Sequence, residues 1–382
     1  MKKMTKVIGI CAAAAMVMTT GTAAFAEEGT FTIGAIGPVT GAAAAYGISV
    51  MNGAQLAVDE INASGGINGY QVELITADDE HDAEKSVNAY NDLKDKGMQM
   101  LLGTVTSAPC IAVEGEALND NMFLLTPSGS AVDCITGENA FRVCFADPAQ
   151  GAKSAQFIGE HGLATKIGII YDSSDPYSTG IMESFVAEAD SQGLEVVSNE
   201  AFSDNRTDFS AQLNKAKDAE AELVFLPFYY QEAALVLKQA SDMGFAPTFF
   251  GCDGMDGILT VENFDTSLAE GLMLLTPFTP NAEDEMTQNF VAAYEEAFDG
   301  LVPIQFGADA YDGIYAMKAA LEDADANPDM SASELCDLMK VSMGNITVEG
   351  LTGTITWDPA TGEPEKEPKA VVIENGEYVS QD

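Results

Sequence analysis

The chain has 382 residues, 47% of them hydrophobic, and carries 17 Lys and Arg against 60 Asp and Glu, a net charge of −43. That length suits two domains, and so acidic a chain, with Arg142 and Arg206 as its only arginines, repels polyanions: nucleic acid and anionic membrane surfaces are excluded as partners. A free zwitterion has no net charge and is not repelled.

Residues 1–26 read as a secretory signal peptide. Lys2, Lys3 and Lys6 make a positive start, Val7 to Met18 an apolar stretch too short to span a bilayer, and Ala24-Phe25-Ala26 a cleavage site. Cys11 follows Ile10, not the small residue that lipoprotein processing wants. The expected product is exported, to a periplasm or the outer face of the cytoplasmic membrane.

FTIGAI (31–36) reads as a strand and 49–62 as a helix, with Val50, Ala54, Ala57 and Ile61 on one face. NASGGING ends that helix. QVELITA (71–77), MQMLLG and MFLLT read as strands, separated by helices over 80–96 and 109–119. This βαβα order predicts a parallel, doubly wound sheet. The pattern restarts near residue 150. KIGIIYD (166–172), LEVVSNEAF, LVFLP and PTFFG are strands, with helices over 182–189, 209–217 and 231–243. Residues 276–346 are mostly helical (285–298, 308–321, 331–341), and TITW and AVVI are late strands around the polar loop TWDPATGEPEKEP. The expected fold is α/β: two doubly wound parallel-sheet lobes joined by a multi-strand hinge, with residues 27–146 and 276–352 in the N-terminal lobe and 147–275 and 353–382 in the C-terminal lobe.

In such sheets ligands sit beyond the carboxyl ends of the strands. The segments found there are TVTSAP, PSGS, SSDPYSTG, FYYQE, CDG and GPVTGAAAAYG. They supply hydroxyls, tyrosines and one short acid, with no phosphate loop and no G-x-G-x-x-G, so no cofactor is expected. Ser107 at a helix start either meets a carboxylate or caps the helix. Ser128 and Ser130 add hydrogen bonds to the same group or serve only the turn. Asp253 either receives an ammonium group or is a solvated turn aspartate. Tyr46, Tyr177, Tyr229 and Phe306 either wall an apolar side chain or simply pack. His81 and His161 lie in no metal-ligand spacing, so neither a metal site nor a catalytic triad is expected. Cys110, Cys134, Cys144, Cys252 and Cys336 leave two readings: a Cys134–Cys144 or Cys110–Cys134 disulfide, or buried thiols.

Taken together, IGPVTGAAAAYG, AVDEINASGGINGYQVELITADDEHD, LLGTVTSAP, LLTPSGS, DPYSTG, FLPFYYQEA, FFGCDG and FGADAYDGIYAM make the chain resemble the leucine/isoleucine/valine-binding proteins. These are type I periplasmic binding proteins that feed ABC importers. The resemblance covers essentially everything after residue 26. It implies a non-catalytic, monomeric substrate-binding protein that captures an amino acid, branched-chain aliphatic above all, and hands it to membrane permease subunits. It implies carboxylate binding by Ser107 and Ser130, backbone contacts from Ser128, and side-chain contacts from Tyr46, Tyr177, Tyr229 (or its neighbour Tyr230) and Phe306. Asp253 falls where a glutamate often takes the ammonium and is one methylene shorter. A disulfide of some relatives would need cysteines near His81 and Thr106, where this chain has none. Other members of the family bind amides, urea or aromatic acids. Two rivals remain: an exported hydrolase using Ser107 or Ser130, which has no base or nucleophile motif beside it, and the ligand-binding module of a sensor.

Overall fold

A computed structural model describes residues 29–366 and 368–381; the expected signal peptide lies outside them. The first half alternates β1 (Thr30–Gly37), α1 (Ala44–Ala63), β2 (Gln71–Asp78), α2 (Ala83–Asp95), β3 (Met100–Gly103), α3 (Ser107–Asp120), β4 (Leu124–Thr126) and β5 (Ala140–Arg142). The strands form a five-stranded sheet in the order β2-β1-β3-β4-β5, parallel throughout. Helices cover both faces of such a sheet, which is why every residue of β3 and β4 is buried. The predicted stripe of α1, Val50, Ala54, Ala57 and Ile61, is fully buried. Gly66, at φ +80°, makes the turn after it, because a Cβ there would lie 1.9 Å from the Tyr70 carbonyl oxygen.

The second half runs α4 (Asp147–Glu160), β6 (Lys166–Asp172), α5 (Pro176–Ala189), β7 (Glu195–Phe202), α6 (Ser210–Asp218), β8 (Leu223–Leu226), α7 (Tyr230–Asp242), β9 (Thr248–Gly251) and β10 (Met273–Thr276). It then continues through α8 (Glu285–Ala297), α9 (Gln305–Asp323), α10 (Ala332–Ser342), the hairpin β11 (Val348–Gly350) and β12 (Gly353–Ile355), and the hairpin β13 (Lys369–Glu374) and β14 (Glu377–Ser380). The second sheet has seven strands in the order β14-β13-β10-β9-β8-β6-β7, with β13 and β14 antiparallel at one edge.

Two α/β lobes result, and the chain crosses between them after β5, after β10 and between β12 and β13. Helix α9 returns to the first lobe and lies on α1 so closely that a Cβ on Gly53 would come within 2.0 Å of the Gly307 carbonyl oxygen. No helix of the described residues is long and apolar enough to cross a membrane.

The strand and helix order matches the sequence reading wherever periodicity is strong. Strand β5 and helix α4 are additions. The buried face of α4 presents Gln150, Gly151, Ser154 and Ala155 beside Ile158, so it lacks the apolar contrast that marks a helix. Strands β10, β11 and β14 also escaped the reading, all three being only three or four residues long. The TITW strand shortens: β12 stops at Ile355, and Trp357 pairs with Pro364 in an isolated bridge.

Candidate binding cleft

Strands β3 and β4 are neighbours and parallel, so their carboxyl ends release two loops side by side. Hydroxyl groups join these loops. Thr126 Oγ1 donates to the Thr104 carbonyl at 2.6 Å and accepts from Gly129 N at 2.7 Å. Ser128 Oγ donates to the Val105 carbonyl at 2.7 Å, and Ser107 Oγ accepts from Ala131 N at 3.2 Å. Ser107 is therefore not the cap of α3: Thr106 holds that position, and Ser107 is the first helical residue. Ser130 is fully buried, and its Oγ has no hydrogen-bond partner.

The second lobe answers from the ends of β6, β8 and β9. Asp175 caps α5 by accepting from Tyr177 N, which sets Tyr177 at the helix start. Tyr177 Oη donates to Asp253 Oδ1 at 2.6 Å, and Gly254 N donates to the same oxygen at 2.7 Å. Asp253 Oδ2 accepts no hydrogen bond among the described residues. Tyr229, the cap residue of α7, stacks on Tyr177 with ring centroids 4.9 Å apart. From the first lobe, Tyr46 lies 4.2 Å from the Phe306 ring and 5.5 Å from Tyr229. Its hydroxyl donates to the Gly254 carbonyl and accepts from Tyr230 N, while Tyr230 Oη accepts from Ala45 N at 3.3 Å. These bonds cross the cleft and hold the lobes together.

Seven of the eight predicted residues, Tyr46, Ser107, Ser128, Tyr177, Tyr229, Asp253 and Phe306, line one cavity together with Val105, Thr106 and Gly254. Ser130 stands outside that lining. The cavity measures only about 10 Å³, the space of roughly one water. Larger hollows exist, such as one of about 400 Å³ beside α7, but it is an open groove away from the strand ends. The enclosed cavity, small as it is, gathers the buried polar groups, and for that reason it is the candidate site.

Asp253 is the one acid among the described residues that lines the cavity, and further buried acids lie outside that lining. Asp253 is 3% exposed, which overturns the solvated-turn reading. Burial pushes its carboxyl up to about 6, against the pull of the Tyr177 hydroxyl and Gly254 N–H. Burial also raises Asp175 and Asp256 to about 6 and holds Asp147 well above the carboxylate range. A cation placed here would meet a carboxylate that lacks a positive partner. The tyrosine hydroxyls of Tyr46, Tyr177 and Tyr229 are driven upward by burial and stay neutral.

Sequence reasoning did not single out Val105, Thr106 or Gly254 as lining residues. Val105 and Gly254 take part through position and backbone, which leave no signature in side-chain type. His81 and Thr106 stand where some relatives would hold a disulfide; here His81 Nδ1 and Thr106 Oγ1 share a 2.8 Å hydrogen bond. The five cysteines of the described residues are buried free thiols, so the disulfide readings fail. Among those residues no group of three His, Cys, Asp or Glu side chains is placed to hold a metal ion.

A family model described as periplasmic binding protein matches residues 30–377. Leu/Ile/Val-binding protein BraC3 of Rhizobium johnstonii is 31% identical over 85% of this chain and 89% of its own. The crystal structure of LivJ, a branched-chain amino acid transporter substrate-binding protein from Streptococcus pneumoniae in complex with isoleucine, superposes with a TM-score of 0.83 at 28% identity. The match covers 92% of this chain and 99% of LivJ. The leucine-binding protein LivK of Thermotoga maritima gives the same TM-score at 26% identity, over 92% of this chain and 98% of its own.

Proposed function

The chain belongs to the periplasmic binding protein family, and from that membership we propose that it is the extracytoplasmic substrate-binding protein of an ABC importer, capturing a branched-chain amino acid between its lobes. The observation that carries this reading is the convergence of Ser107 and Ser128 from one lobe with Tyr177 and Asp253 from the other on a single enclosed cavity.

The two lobes offer opposite halves of a zwitterion site. The first turn of α3, beside the 128–130 loop, has backbone N–H groups and the positive end of a helix dipole, which favour a carboxylate. Ser130 Oγ, buried behind the cavity wall without a geometric hydrogen bond, joins them once the ligand is in place. Across the cleft Asp253 Oδ2 takes the ammonium, while Oδ1 is held by Tyr177 and Gly254. The shorter side chain of aspartate is offset by that grip, which fixes the carboxylate toward the cavity. Tyr46, Tyr229 and Phe306 wall the aliphatic side chain.

A cavity of about 10 Å³ does not admit leucine, so entry requires the lobes to part at the crossing strands, breaking the Tyr46–Gly254 and Tyr230–Ala45 bonds. A ligand that touches both lobes favours the closed state by its differential contacts. The moving bodies are the two sheets with the helices that cover them, and they flex at the crossings after β5, after β10 and between β12 and β13. The closed monomer then docks on the permease subunits. No turnover is assigned: the Ser107 and Ser128 hydroxyls bond to backbone groups, not to a base.

Titration calorimetry with L-leucine and with 4-methylpentanoate, which lacks the ammonium, tests the reading. L-leucine binds and the acid binds at least about fivefold more weakly, since an unpaired buried charge costs roughly 1–3 kcal/mol. Equal affinities would remove Asp253 from the site.

A further inference from the structure

One of the two arginines is fully buried, and the cavity does not use it. Arg142, at the end of β5, donates Nη1 to the carbonyls of Gly129 and Ser130 and Nη2 to that of Ala131 at 3.0 Å. Its Nε faces Glu363 Oε2 at 3.2 Å, an ion pair off the line of a hydrogen bond. Glu363 belongs to the segment between β12 and β13, which crosses between the lobes. That segment also grips Arg142 by its backbone: Trp357 Nε1 donates to the Arg142 carbonyl at 2.7 Å, and Arg142 N donates to the Gly362 carbonyl at 3.2 Å.

We infer that Arg142 is a positioning residue for ligand binding, and that Glu363 sets its pose from the hinge. In a trans peptide the carbonyl and the N–H point in opposite directions. Fixing the carbonyls of Gly129 and Ser130 on one guanidinium therefore turns the N–H groups of Ser130 and Ala131 away from it. The Ala131 N–H does meet Ser107 Oγ. Ser107, which lines the cavity, is thus held through Ala131 by a charge-assisted network whose other end is anchored on the segment that crosses between the lobes. The inference rests on the amino-acid reading above.

The test uses the full mature chain, with L-leucine, or the proteinogenic amino acid that binds most tightly, and its carboxamide, which lacks the carboxylate. Glu363 is 39% exposed at its side chain, and Glu363→Ala leaves Arg142 its three carbonyl acceptors. The preference of the protein for the acid over the amide falls about fivefold in Glu363→Ala. Glu363→Asp restores it, and the fall in preference exceeds any uniform loss of affinity that a lower melting temperature would bring. A purely structural role would lower the melting temperature and leave the preference untouched; that result overturns the inference. If the wild-type protein binds no amino acid, the underlying reading fails first and this inference with it. If it binds one and the preference is the same in Glu363→Ala, only the positioning role is lost.

Discussion

Tyr177 Oη and Asp253 Oδ1 are joined by a 2.6 Å hydrogen bond that runs from the start of α5 to the loop after β9. It ties an aromatic wall of the cleft to its acid, so each residue reports on the other. Tyr177→Phe removes the donor and is expected to weaken amino-acid binding by about 1 kcal/mol, some fivefold. Asp253→Asn removes the charge itself and costs about 2 kcal/mol, some thirtyfold. Calorimetric dissociation constants check both, and a Tyr177→Phe loss larger than that of Asp253→Asn would contradict the assignment.

Binding should depend on pH through Asp253, whose carboxyl burial raises to about 6. The ammonium partner needs the ionised form. Affinity is therefore flat above pH 7 and weakens by up to tenfold per pH unit below about 6. Asp253→Asn abolishes the slope. Dissociation constants across pH 5 to 8 read it directly, and a slope that survives in Asp253→Asn would locate the proton elsewhere.

Stability without ligand should run the opposite way. Burial raises Asp175, Asp253, Asp256 and Asp309 to about 6 and Asp79 to about 7. A raised folded-state value gives stability that is complete below the unfolded value near 3.9 and is lost as pH rises through 6 to 7. His81 opposes this: burial, then the nearby Arg206 charge, lowers it, so its contribution is present above about 6.5 and lost as pH falls. These acids, with Asp147, Asp312 and Glu363 also raised by burial, outweigh one histidine and leave a net fall in melting temperature from pH 5 to pH 8. Acids held low, such as Asp120 beside Lys94, act below that window. Circular-dichroism melts check it; a rise toward pH 8 would contradict it.

Ser130 and Ser107 should separate binding from stability. Ser130 Oγ has no partner, so Ser130→Ala leaves the melting temperature of the free protein unchanged and weakens binding by about 1 kcal/mol. Ser107→Ala also strands the Ala131 N–H and lowers both, the former by about 1–3 kcal/mol of stability. Paired melts and titrations distinguish them, and an equal loss of stability in both variants would refute the distinction.

The fold was legible wherever burial is one-sided or total. Alternation of apolar strands with the stripe of α1 gave the doubly wound order, because a parallel sheet covered on both faces imposes that pattern on sequence. Helix α4 was not legible, since its buried face is glycine, serine, alanine and glutamine packed on α5. In the cleft, side-chain chemistry at strand ends pointed to Ser107, Tyr177 and Asp253, and the family resemblance supplied their roles. What stayed hidden was set by long-range geometry. Nothing local to Arg142 says that it faces three carbonyls, or that Glu363 would come to it from 221 residues away along the chain. For Asp253 the sequence left an ammonium site and a solvated turn both open, and only packing against Tyr177 and Gly254 takes it out of water.

The central claim is that a free amino acid is captured between the lobes, and a thermal-shift screen against the twenty amino acids, small amides and aromatic acids tests it most directly. At about a hundred times its dissociation constant a ligand adds roughly 2.7 kcal/mol to stability. The account predicts a clear rise in melting temperature with L-leucine, L-isoleucine or L-valine that is strongly reduced in Asp253→Asn. No rise with any amino acid, or an undiminished rise in that variant, would contradict it.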